Sequence, residues 1–133
     1  MDAKNTAIAE KCLEAAYDGS LSFPKIIEML VDAGFEGYSA DYRRNSQIYY
    51  LPDGDNIELA LPCSGGPVAA SFNASGIEAL VRWAQSNEAG YSYALFTEKV
   101  KTEGCAGYHV SFPGRRVVYY GRTAETHLEL FPQ

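Results

Sequence analysis

This chain has little of what staples, coordinates or anchors a protein. Its cysteines are three, Cys12, Cys63 and Cys105, an odd number without the short spacings of a metal knuckle. Free thiols in a reducing cytoplasm are therefore expected. Histidine occurs only twice, at His109 and His127, a thin supply of nitrogen ligands for a metal centre. Bases are outnumbered, 11 Lys and Arg against 17 Asp and Glu, for a net charge of −6. The basic doublets Arg43-Arg44 and Arg115-Arg116 are too short to track a phosphate backbone, so nucleic acid is excluded as a partner. No apolar run approaches the length that crosses a bilayer, and no membrane partner is expected. Met1 to Ala9 has no charged start followed by an apolar core, so no signal peptide is expected.

Against these shortages stand ten tyrosines in 133 residues, within a chain that is 47% hydrophobic and 21% charged. That balance is globular, and the length predicts a single domain over 1–133. The tyrosines recur in two matching stretches. Gly34, Gly37, Tyr38, Tyr49 and Tyr50 each have the same residue type 70 positions later, at Gly104, Gly107, Tyr108, Tyr119 and Tyr120. One supersecondary unit is therefore read twice, over about 5–62 and 74–132.

The apolar spacing predicts a helix over 5–17, with Ile8, Cys12, Leu13 and Ala16 on one side. Ser22 then caps a second helix that carries Pro24 in its first turn and stops at Gly34. Strands follow over 38–42, 48–51 and 57–61, with turn signals between them. Cys63 to Pro67 reads as the linker. Ser75 and Glu78 are spaced as a capping box for a third helix, and a fourth runs over 92–102. Strands at 108–112, 117–121 and 126–131 complete the second unit. In the last of these Leu128 and Leu130 carry the apolar alternation, so a one-residue shift of the repeat is expected there. The fold class is α+β: two pseudo-symmetric ααβββ units, with helices packed on antiparallel sheet. Whether the six strands make one sheet or two is left open.

Gly34 with Tyr38-x-x-Asp41-Tyr42, the run Tyr49-Tyr50-Leu51-Pro52-Asp53-Gly54, and Tyr120-Gly121-Arg122-Thr123 leading to His127-x-Glu129-x-Phe131-Pro132 together carry a resemblance. On these motifs the chain resembles the YdfO-like family of small bacterial and prophage proteins, often labelled "phage envelope protein". The resemblance spans nearly the whole chain. It implies an α+β fold and carries over no substrate and no catalytic residue.

Strand alternation puts Ser39, Asp41, His109 and Ser111 on one sheet face. Asp41 beside His109 would orient an imidazole for base chemistry, with Ser111 or Cys105 as nucleophile. The plainer reading is a histidine on a half-exposed strand making an ordinary hydrogen bond. His127 and Glu129 share a face and, with His109 or Asp41, have mixed metal-ligand chemistry. A solvent-facing strand edge is preferred for them, and no metal or other cofactor is assigned. Ser64-Gly65-Gly66 lacks the lysine of a phosphate loop. Adjacent tyrosines in a strand must point to opposite faces. One of each pair is core, and the other joins Asp41 and His109 on a tyrosine-lined outer face.

The leading expectation is a non-catalytic module that binds a small molecule or a protein partner. Tyr49, Tyr119, Ser39, Ser111 and Arg43 are its candidate contacts. A small hydrolase-like enzyme with the His109/Asp41 pair is the alternative, and a homodimer without a ligand site is the third.

Overall fold

The computed structural model describes residues 1–62, 66–86 and 88–131. Its elements are α1 (Ala3–Asp18), α2 (Phe23–Asp32), β1 (Gly37–Asp41), β2 (Ser46–Tyr50), β3 (Asn56–Ala60), α3 (Ala74–Gln85), α4 (Tyr93–Thr102), β4 (Cys105–Ser111), β5 (Arg116–Gly121) and β6 (Thr126–Leu130). Most of the expected Cys63–Pro67 linker lies outside the described residues.

Side chains start the helices by taking up free amide donors. Asp2 accepts from the Asn5 amide at 2.7 Å, and Ser22 and Ser92 cap α2 and α4 at equivalent places in the two units. The expected Ser75–Glu78 box does not begin α3. Asn73 does, accepting from the Gly76 amide at 3.2 Å, because the helix starts one residue before Ser75. Gly34 and Gly104 end α2 and α4 with φ of +94° and +89°. An L-residue with a side chain rarely adopts that conformation.

All six strands form one antiparallel sheet in the order β3-β2-β1-β4-β5-β6. The two units meet at its centre, where β1 pairs with β4. Ser39 lies directly opposite His109, the residue 70 positions later. An antiparallel pair in which a residue faces its own counterpart has its local twofold axis between them. The flanking bonds obey that axis. Tyr42 N–H donates to the Ala106 carbonyl at 2.9 Å, and Phe112 N–H donates to that of Glu36 at 3.0 Å.

The repeat also holds in β6, which corrects the expected shift. Gln47 pairs with Leu59 on β2 and β3, and Val117 pairs with Glu129 on β5 and β6. Even the turns correspond, with Leu51 N–H on Asp55 and Gly121 N–H on Glu125, each to the carbonyl. Glu129 is thus the inward residue at 6% exposure, while Leu128 and Leu130 are 48% and 58% exposed on the outer face. Apolar alternation misleads here because backbone pairing and turn geometry set the register, and a cation from α3 meets the inward carboxylate.

Apolar stripes of the four helices cover one face of the sheet. Cys12, Leu13, Ile26, Leu30, Ile77, Val81, Phe96 and Val100 are buried there against Tyr38, Ala40, Tyr49, Tyr108, Val110, Val117 and Tyr119. Cys105, one of the two candidate nucleophiles, is fully buried in this core. Desolvation pushes its pKa up to about 12, so it stays protonated and unreactive. No helix among the described residues is long and apolar enough to cross a membrane.

Candidate functional site

Four tyrosines run across the four central strands on the helix-covered face. Tyr38 stacks on Tyr49 in the first unit and Tyr108 packs on Tyr119 in the second, each with ring centroids 5.3 Å apart. Tyr38 meets Tyr108 edge-on across the local axis at 5.9 Å. Rings at these separations add favourable contact beyond the area they bury.

Two hydroxyls of this ladder, those of Tyr49 and Tyr108, are bonded inside the protein. Tyr93, from the start of α4, donates to Gln47 Oε1 at 2.9 Å, while its oxygen lies 2.7 Å from that of Tyr108 and 3.3 Å from that of Tyr42. Gln47 Nε2 donates to the Tyr49 hydroxyl at 2.8 Å. Burial is the first cause that raises the pKa of each of these phenols, since it disfavours the phenolate. They are neutral groups at physiological pH.

Between this ladder and the helices lies a cavity of about 300 Å³. Tyr38, Tyr49, Tyr108 and Tyr119 line it from the sheet, and Phe23, Ile26, Val81, Tyr91 and Phe96 from the helices and their ends. Glu129 faces it from β6, and Arg115 and Phe131 stand together at the end of the β5–β6 hairpin, the guanidinium 5.9 Å from the ring centroid. Arg115 holds a positive φ of 52°, as its counterpart Asn45 does at 54°. Asparagine tolerates that conformation better than arginine does.

Glu129 is the buried acid of the cavity wall. Arg82 Nη1 of α3 donates to its Oε1 at 2.5 Å, and His127 Nε2 lies 2.6 Å from its Oε2. A carboxylate oxygen can only accept, so His127 carries its proton on Nε2. The bond to Glu129 is the first cause that raises the Arg82 pKa above its ordinary value. In the first unit the positions of His127 and Glu129 are held by Ile57 and Leu59. The polar cluster therefore belongs to one half of a duplicated fold. His127 and Glu129 do not form the solvent-facing edge expected for them, because their strand faces put them under α3.

The candidate contacts are split between the two sheet faces. Tyr49 and Tyr119 line the cavity, at 1% and 5% exposure. They do not join Asp41 and His109 on the outer face. Tyr50 and Tyr120 do, because alternation sends the second tyrosine of each pair outward. Ser39 and Ser111 are on that outer face too, and Arg43 is exposed in the β1–β2 turn. His109 Nδ1 lies 2.6 Å from Ser39 Oγ, with the Tyr50 ring packed beside the imidazole. Asp41 uses Oδ1 to accept from the amides of Arg43 and Arg44, at 3.0 and 3.1 Å. His109 is therefore brought to Ser39 rather than to Asp41. The register places Asp41 opposite Gly107, one diagonal step from the imidazole. His109 and His127 point from opposite faces, so they do not share a ligand set. Among the described residues no group of three or more metal-type side chains occurs.

Sequence reasoning passed over Arg82, Tyr91, Tyr93 and Gln47, and with them the inward role of Glu129. The 70-residue offset contained the signal for the last. Kept unshifted, it pairs Leu59 with Glu129 and turns the carboxylate inward. No protein-family model matches the sequence, and no curated protein matches it.

Proposed function

We propose that this protein is a small-molecule-binding module whose ligand occupies the cavity between the helices and the tyrosine ladder. One observation carries the reading. A cavity of about 300 Å³, the low end of the range for ligand sites, is walled by aromatic rings and contains one buried acid that the other half of the fold replaces with leucine. Apolar walls with a few placed polar groups are the usual composition of such sites. A carboxylate in a wall costs desolvation that leucine would not, so its presence is better explained by what it contacts than by stability. The same reading keeps the protein in the cytoplasm and within the YdfO-like family.

A thermal-shift screen of small metabolites on the wild type, Ala84→Phe and His109→Ala tests it. Ala84 lines the cavity, and the phenylalanine ring would occupy it. A ligand that raises the melting temperature of the wild type and of His109→Ala, but not of Ala84→Phe, binds where proposed. Equal stabilisation of Ala84→Phe, or loss of the effect in His109→Ala alone, refutes the cavity as the site.

A second reading, assembly through the outer face, has its own observation. Leu128 and Leu130 stand exposed on one face, beside Val118 of β5. Light scattering of the wild type against Leu130→Lys decides it, since a dimer held by that patch would dissociate in the variant.

A further inference from the structure

We infer that the cavity is built for an uncharged aromatic molecule that carries an N–H or O–H donor, of about the size and kind of an indole. The inference rests on the cavity being the binding site and goes on to name the ligand class. Charge is considered first. An anion would enter beside the buried Glu129 carboxylate, and like charges in a low-dielectric interior repel strongly. A cation meets Arg115 at the rim and finds Glu129 already paired with Arg82. No uncompensated charge of either sign awaits a ligand inside, so a neutral one fits.

Hydrogen bonding comes next. A carboxylate has about four acceptor positions, and Glu129 receives Arg82 on one oxygen and His127 on the other. The remaining positions want donors, and the carboxylate can supply none. Tyr119, diagonal to Glu129 on the same face, and Tyr91, from the loop before α4, both line the cavity. Neither hydroxyl takes part in a side-chain hydrogen bond among the described residues. Burial raises both of their pKa values, so they stay neutral and can donate or accept. Of the other ladder phenols, Tyr49 is engaged with Gln47 and Tyr108 with Tyr93, and the Tyr38 hydroxyl lies toward that of Tyr108. The open polar capacity of the cavity is thus concentrated at Glu129, Tyr119 and Tyr91, with aromatic faces and edges on the remaining walls. A flat ring with a donor on its rim satisfies both.

Isothermal titration calorimetry of the full chain with three probes tests this: indole, benzofuran (same shape, N–H replaced by an oxygen) and indole-3-carboxylate. Indole is expected to bind about tenfold or more tightly than benzofuran, the difference made by a hydrogen bond to a charged acceptor. Indole-3-carboxylate is expected to bind more weakly than either. In Glu129→Leu, which installs the residue of the first unit, indole and benzofuran should bind alike. Glu129→Gln, closer in shape, should narrow the gap and guards against a folding defect in the leucine variant. Equal affinity of indole and benzofuran for the wild type overturns donor recognition while leaving cavity binding intact. Preference for the carboxylate overturns the charge argument, and failure of all three probes overturns the aromatic class. The metabolite screen with Ala84→Phe judges the cavity itself separately.

Discussion

Glu129 and Arg82 form an unequal pair, and the inequality predicts opposite outcomes for their removal. The carboxylate side chain is 7% exposed and the guanidinium 55%. Deleting the arginine strands a buried charge with only His127 beside it, whereas deleting the acid leaves a cation that water can solvate. Arg82→Ala is therefore expected to be the more destabilising of the two, while Glu129→Leu should fall within about 1 kcal/mol of wild type or be more stable. Urea unfolding of both variants checks the order, and the reverse order would remove the argument that the acid is kept for a ligand. Tyr93 is a second such residue. Its counterpart in the first unit is Phe23, yet its hydroxyl joins Gln47, Tyr42 and Tyr108. Tyr93→Phe leaves Gln47 Oε1 without that donor and is expected to destabilise by about 1–3 kcal/mol in the same assay.

Among the elements, the outermost hairpin separates two ways of reading one strand. Leu128 and Leu130 look like core in a hydrophobicity pattern, but β6 turns them to solvent and Glu129 inward. Leu128→Lys and Leu130→Lys are each expected to change stability by less than about 0.5 kcal/mol, as exposed substitutions usually do. A loss several times larger would mean that β6 pairs one residue out of register. The helix ends and the hairpins were legible because their signals are local: Ser22 and Ser92 before helices, Gly34 and Gly104 after them. The start of α3 was misread because Asn73 and Ser75 are both capping residues, and only the backbone path decides which one is used. The approach of His109 to Ser39 was not legible either. It depends on which strands the two units place side by side.

For the molecule as a whole, the tyrosine ladder sets an alkaline limit. Tyr38, Tyr42, Tyr49, Tyr93, Tyr108 and Tyr119 all have pKa values raised, first by burial. Below the ordinary tyrosine value near pH 10 both folded and unfolded chains keep these protons, and the stabilisation is fully present. Above it the unfolded chain releases them while the folded chain does not, so stability falls by roughly 1.4 kcal/mol per pH unit for each tyrosine. Cooperative unfolding is expected above pH 10, with tyrosinate absorbance and loss of the helical circular dichroism signal rising together. If the six phenols ionised near pH 10 with the helices intact, the ladder would not be buried as described.

Composition, turn chemistry and the 70-residue repeat were sufficient to give the α+β class and the order helix, helix, strand, strand, strand in each half. Those features depend on neighbours a few residues apart, or on a copied pattern visible as text. The union of the halves into one sheet through β1 and β4, the choice of Tyr49 and Tyr119 over Tyr50 and Tyr120 as the inward pair, and the meeting of Arg82 with Glu129 were decided only in three dimensions. Alternation tells which side chains share a face but not which face the helices will cover. A buried carboxylate looks like a surface residue until the strand beside it and the helix above it are in place.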